Sequence, residues 1–175
     1  IRIYSFKKRF KNWIKMLYLA YGSNLNQKQM KQRCPSSFFL QKVILEDWTL
    51  TFKGVADIIK VNDSQTPAGL YEITKECEIS LDHYEGFPSL YKKEYIEFNF
   101  NGSKETALTY VLNDQYDIGP PVETYYEIIK QGYQDCKLDY KSLIRAVNYS
   151  IEFDTGKSFK EHYWLKSPII KKQRI

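Results

Sequence analysis

Two short stretches of this chain hold residue types able to do chemistry. The first is Tyr21-Gly22-Ser23-Asn24-Leu25. It follows an apolar run, Met16 to Ala20, and precedes a polar segment, Asn26 to Lys31. A strand that turns through small polar residues into a helix aims backbone N–H groups at one spot, which suits a carboxylate or a phosphate. The same residues also read as an ordinary strand-to-helix turn. The second stretch centres on Glu85, with Tyr84, Phe87 and Tyr91 near it and Gly86 placed to turn the chain. A carboxyl group buried beside apolar residues has its pKa lifted toward neutrality, where it can take and return a proton in turn. Read alone, Glu85 fits better a solvated glutamate near a helix end, since charged residues are mostly exposed.

The elements that must hold these residues follow from patterning. Met16 to Ala20 reads as a buried strand. Phe38 to Leu45 and Trp48 to Phe52 are rich in aromatic and β-branched residues and read as strands, as does Asp57 to Val61. Asn62 to Pro67 reads as a turn, and the chain returns as a strand over Ala68 to Ile73. Thr74 is placed to cap a helix running to about Tyr84, stopped by Gly86 and Pro88. Lys93 to Phe100 alternates, Asn101-Gly102 is a tight-turn dipeptide, and Thr106 to Leu112 is the hairpin partner. Pro121 opens a helix with Val122, Tyr125, Ile129 and Tyr133 on one face. Asp139 is placed to cap a last helix through Leu143 and Val147. Strands first and helices after give α+β.

Several ordered blocks resemble the gamma-glutamylcyclotransferase-like family. Tyr21 to Leu25 is similar to its first signature. Leu81-Asp82-His83-Tyr84-Glu85-Gly86-Phe87-Pro88, with Tyr91-Lys92-Lys93-Glu94, is similar to its second. Trp48 to Gly54, Pro67 to Ile73, Thr109 to Leu112 and Tyr125 to Tyr133 fit between and after them, so the resemblance spans Met16 to about Asn148. It implies a small mixed β-barrel with flanking helices. It also implies a transferase- or lyase-type release of 5-oxoproline from a gamma-glutamyl compound by intramolecular cyclisation. Glu85 falls where the family places its acid/base, and the resemblance reverses the solvated reading. Tyr21, Gly22, Ser23, Asn24 and Leu25 would hold the alpha-carboxylate or the carbonyl oxygen through backbone N–H groups. Tyr125 aligns with a pocket tyrosine able to donate to substrate, and Tyr18 is a weaker candidate. The chemistry needs no metal or organic cofactor. Asp82 reads as a cap or a solvent-facing side chain, and Lys92-Lys93 as a solvated strand edge. A non-catalytic module holding a small ligand in the same pocket is the alternative, and other gamma-glutamyl conjugates remain open as substrates.

Composition bounds the rest. The chain has 175 residues, 43% hydrophobic and 16% aromatic, which excludes disorder and fits one domain. The net charge of +5 is misleading, because residues 1–15 carry six Lys or Arg and no acid, and residues 157–175 carry six against Glu161. The intervening chain is net acidic, which argues against a nucleic-acid-binding face. Residues 1–15 are expected to lie outside the domain core, with Met16 the native start. Residues 16–150 form the domain and 151–175 a basic C-terminal extension. No stretch is long enough to span a membrane. Three cysteines without metal-ligand spacing point to reduced thiols in the cytoplasm.

Overall fold

The computed structural model describes residues 16–160 and 166–174. The expectation for residues 1–15 lies outside them. Five strands form one sheet: β1 (Met16–Ala20), β2 (Phe38–Phe52), β3 (Ala56–Ile73), β4 (Tyr91–Phe100) and β5 (Ser103–Leu112). Their order is β2-β3-β1-β5-β4. All neighbours run antiparallel except β1 and β5, which are parallel. The hydrogen-bonded ladder does not close, but the sheet curls until Cα atoms of its end strands β2 and β4 come within 8 Å. The expected α+β fold is therefore present, with a barrel-like curl. Among the described residues four α-helices flank it: α1 (Gln27–Arg33), α2 (Lys75–Tyr84), α3 (Glu123–Asp135) and α4 (Lys141–Glu152).

Local chemistry explains most boundaries. Thr74 caps α2, its side chain accepting from the Cys77 N–H. Asn101 and Gly102 both take positive φ, 49° and 83°, the geometry of a two-residue turn between β4 and β5. The Asp139 side chain accepts the Lys141 N–H at 3.0 Å at the start of α4. The expected turn at Asn62 to Pro67 is absent, because β3 runs through it. Asp47 and Asp63, at φ 60° and 61°, absorb a bulge where the pairing steps from Glu46↔Gln65 to Trp48↔Lys60. The polar cluster thus kinks a long strand instead of ending it, and Asp47 accepts the Asp63 N–H at 2.9 Å.

Several described C-terminal residues contact the rest of the protein. The Phe159 N–H donates to the Lys53 carbonyl at 2.9 Å, and the Glu123 N–H to the Pro168 carbonyl at 2.8 Å. Ile170 is buried, and Asn148 exchanges two hydrogen bonds with Gln173. These described residues, on either side of 161–165, pack against the domain.

Candidate active site

The site is assembled where the end of β1 meets the end of α2. After Ala20 the chain makes a single 3-10 turn, Ser23–Leu25, and then enters α1, capped by Asn26, whose side chain accepts the Gln29 N–H. Gly22 is needed for space, not for a left-handed backbone: its φ is −113°, and an added Cβ would stand 3.1 Å from the Ala56 Cβ. The loop rests on α3. Gly132 lets the helix approach Leu25 and Asn26, and Asp135 accepts the Gln27 N–H at 3.0 Å.

Glu85 is set by the way α2 ends. Gly86, at φ 64°, turns the chain. The Phe87 N–H then reaches the Asp82 carbonyl and the Gly86 N–H the His83 carbonyl, a Schellman closure that leaves Glu85 at the C-cap. Its side chain points into a narrow cavity shared with Asn24, Gly22, Ser23 and five tyrosines: Tyr18, Tyr21, Tyr91, Tyr110 and Tyr125. The cavity offers about 30 Å³, little more than a water occupies.

Hydrogen bonds fix the polar groups that line the cavity. Asn24 Nδ2 donates to Glu85 Oε1 at 2.8 Å and to the Tyr18 hydroxyl at 2.7 Å. The Tyr91 hydroxyl donates to the Ala56 carbonyl at 2.8 Å, and the Tyr125 hydroxyl accepts the Ala56 N–H at 3.3 Å. The Tyr21 hydroxyl donates to the Tyr110 carbonyl. Burial pushes the Glu85 carboxyl up to about 7, against the Arg33 charge and the Asn24 hydrogen bond, which pull it down. Burial also raises the tyrosine hydroxyls, so they stay neutral at that pH. A partly buried carboxyl near pH 7 among fixed hydroxyls can pass protons in both directions.

Residues 18–133 match the family model described as "Gamma-glutamyl cyclotransferase, AIG2-like". The chain belongs to that family. It is 27% identical over 146 residues to the gamma-glutamylcyclotransferase of Homo sapiens, covering 75% of this chain and 78% of that one. The Bos taurus gamma-glutamylcyclotransferase is 25% identical over the same length. A solved gamma-glutamyl cyclotransferase superposes with a TM-score of 0.69 at 26% identity, covering 83% of this chain and 94% of its own. Bacillus subtilis YkqA shares the fold, at a TM-score of 0.64 and 24% identity over 77% of this chain and 55% of its own.

The structure brings Tyr21, Gly22, Ser23, Asn24, Glu85 and Tyr125 to one cavity. Leu25 is the exception among the expected residues. Its side chain is fully buried in the core, and its N–H is spent on the Gly22 carbonyl at 3.0 Å, as a 3-10 turn requires. The first N–H groups of such a turn have no partner within it, and these belong to Ser23 and Asn24. Asn24 contributes its side chain as well.

Sequence reasoning assigned no role to Arg33, which reaches Ser23 and Asn24 from α1, four residues after the Gln29 it also holds. It also misread two charges. Lys93 is not a solvated edge residue: it is mostly buried, 2.6 Å from Glu78 and 2.8 Å from Asp82. Asp82 accepts from the Tyr110 hydroxyl as well. These pairings join residues distant in sequence, which a linear pattern does not display. A roomier cleft of about 1200 Å³ lies between β2, β3 and α4 and shares no lining residue with the Glu85 cavity. Its charged side chains, Lys42, Asp63, Asp139, Lys141 and Arg145, are all exposed. Among the described residues no cluster of His, Cys, Asp and Glu could hold a metal ion. None of their helices is long and apolar enough to cross a membrane.

Proposed function

We propose that this protein is an enzyme that releases 5-oxoproline from a gamma-glutamyl amino acid, amine or peptide. The observation that carries the reading is the Glu85 carboxyl, raised to about 7 and tied to Asn24 of the Tyr21 loop. The substrate's alpha-ammonium must lose a proton before its nitrogen can attack the gamma-carbonyl carbon. The new C–N bond closes the ring as the bond to the leaving nitrogen breaks. Two protons move from the alpha nitrogen to the leaving nitrogen. One carboxylate carries them singly, as base and then as acid. The Ser23 and Asn24 N–H groups are the donors for the substrate's alpha-carboxylate or developing oxyanion.

The test is mass spectrometry of the protein incubated with gamma-glutamyl amino acids, gamma-glutamyl amines and glutathione, scoring 5-oxoproline. Wild type should release it from at least one class. Glu85→Gln should bind the same compound and turn over about 10²-fold or more slowly. Equal rates in the two proteins would remove Glu85 from the chemistry. No release across the panel would sink the enzyme reading.

A further inference from the structure

Arg33 stands at the last turn of α1, and its guanidinium Nη1 donates to Ser23 Oγ at 3.1 Å and to Asn24 Oδ1. Its Nη2 donates to Gln29 Oε1 at 2.7 Å, and its carbonyl accepts from the Ser80 hydroxyl of α2 at 2.7 Å. The guanidinium also donates to the Tyr84 hydroxyl at the end of α2 and stacks 3.4 Å from the centre of that ring, so it is held from both helices that flank the loop. A guanidinium has donors only. Whatever it touches on Asn24 must be the oxygen, so the amide nitrogen faces the other way. The two hydrogens on that nitrogen are then spent, one on Tyr18 and one on Glu85 Oε1.

We propose that Arg33 is a positioning residue: by fixing the Asn24 amide and facing Glu85 with its charge, it ties Oε1 and leaves Oε2 to carry the proton. The inference rests on the acid/base role of Glu85 proposed above and adds the group that orients and tunes it. The other ionisable groups facing Glu85 do not supply a positive charge. Tyr18 from β1, Tyr91 from β4, Tyr110 from β5 and Tyr125 from α3 are phenols kept neutral by burial, as is the Cys34 thiol at the end of α1. Tyr21, in the loop, is likewise neutral. Asp82, on Glu85's own helix, is engaged by Lys93 and Tyr110. Of these neighbours Arg33 alone is a cation.

The test titrates Glu85 directly, by NMR of 13C-labelled glutamate carboxyls, its resonance assigned by its loss in Glu85→Gln. Wild type should show a midpoint near 7. Arg33→Met removes charge and grip together, and the midpoint should rise by about one pH unit. Arg33→Lys restores the charge without the fork and should return the midpoint most of the way, while kcat stays low because the Asn24 amide is free to turn. If Arg33→Met does not fold, Arg33→Gln carries the same expectation. An unmoved midpoint in the uncharged variant overturns the inference. So does an equal shift in Arg33→Lys, which would mark general loosening of the site. The titration needs no turnover, so a wild type that releases no 5-oxoproline would remove the enzyme reading and leave the Arg33 result to stand or fall by itself.

Discussion

Asn24 Nδ2 lies 2.8 Å from Glu85 Oε1, joining the turn after β1 to the end of α2. The bond favours the charged carboxylate, and it opposes the burial that pushes the same carboxyl up to about 7. Asn24→Ala deletes that donor. The Glu85 midpoint should therefore rise further, and the acid limb of kcat/KM should move to higher pH with it. A shift of one unit would lower activity at pH 6 by roughly tenfold, since a base must be ionised to act. The check is a pH profile from 5.5 to 9. A limb that keeps its wild-type position, with activity merely scaled down, would mean that Asn24 acts on substrate and not on Glu85.

A raised carboxyl also costs stability, with a sign that can be checked. Below pH about 4.5, the ordinary value, Glu85 is protonated in folded and unfolded chains alike and contributes nothing. Between 4.5 and about 7 the folded state holds the proton more firmly, so stability falls as pH rises. Above 7 the full cost is present, about 3 kcal/mol. Glu85→Gln removes this dependence. Its stability advantage over wild type should be near its minimum at pH 4.5 and grow up to pH 7.5, read by urea unfolding at several pH values. A difference that stays flat across the range would show that Glu85 titrates like an exposed glutamate.

The balance between what the sequence made legible and what it did not follows the range of the interactions. Caps and turns are local, so Thr74, Gly86 and Asn101-Gly102 were readable and stand where expected. The convergence of the Tyr21 loop on Glu85 was readable only through the order of two motifs, because 61 residues separate the partners of the bond between them. Leu25 belongs to the motif but faces the core, a distinction set by the 3-10 turn. Arg33, Lys93 and Asp82 went unassigned or misread because their meaning lies in partners on other elements. Asn62 to Pro67 misled for the opposite reason. Its turn chemistry is real, but β2 supplies pairing on both sides of it and converts the turn into a bulge.

Gly132 gives the most direct test of how the scaffold sets the site. In an exposed helix, glycine to alanine is stabilising by up to about 1 kcal/mol. Here the added Cβ would stand 2.5 Å from both the Leu25 Cβ and the Asn26 backbone nitrogen. Those atoms belong to the loop and cannot rotate away, so either α3 or the loop must shift. Overpacking of this kind costs about 1–3 kcal/mol and outweighs the gain in propensity. Gly132→Ala should therefore lower the melting temperature, whereas Gln134→Ala, at an exposed position of the same helix, should not. The displacement reaches Asn24 through Leu25, its neighbour in the chain, and so disturbs the contact with Glu85. A misplacement near 1 Å at a reacting group can cost on the order of 10²-fold in rate. Turnover in Gly132→Ala should fall well below that of Gln134→Ala when both are assayed at a temperature where each is fully folded. A destabilised Gly132→Ala that keeps wild-type turnover would show that the loop holds its geometry without support from α3.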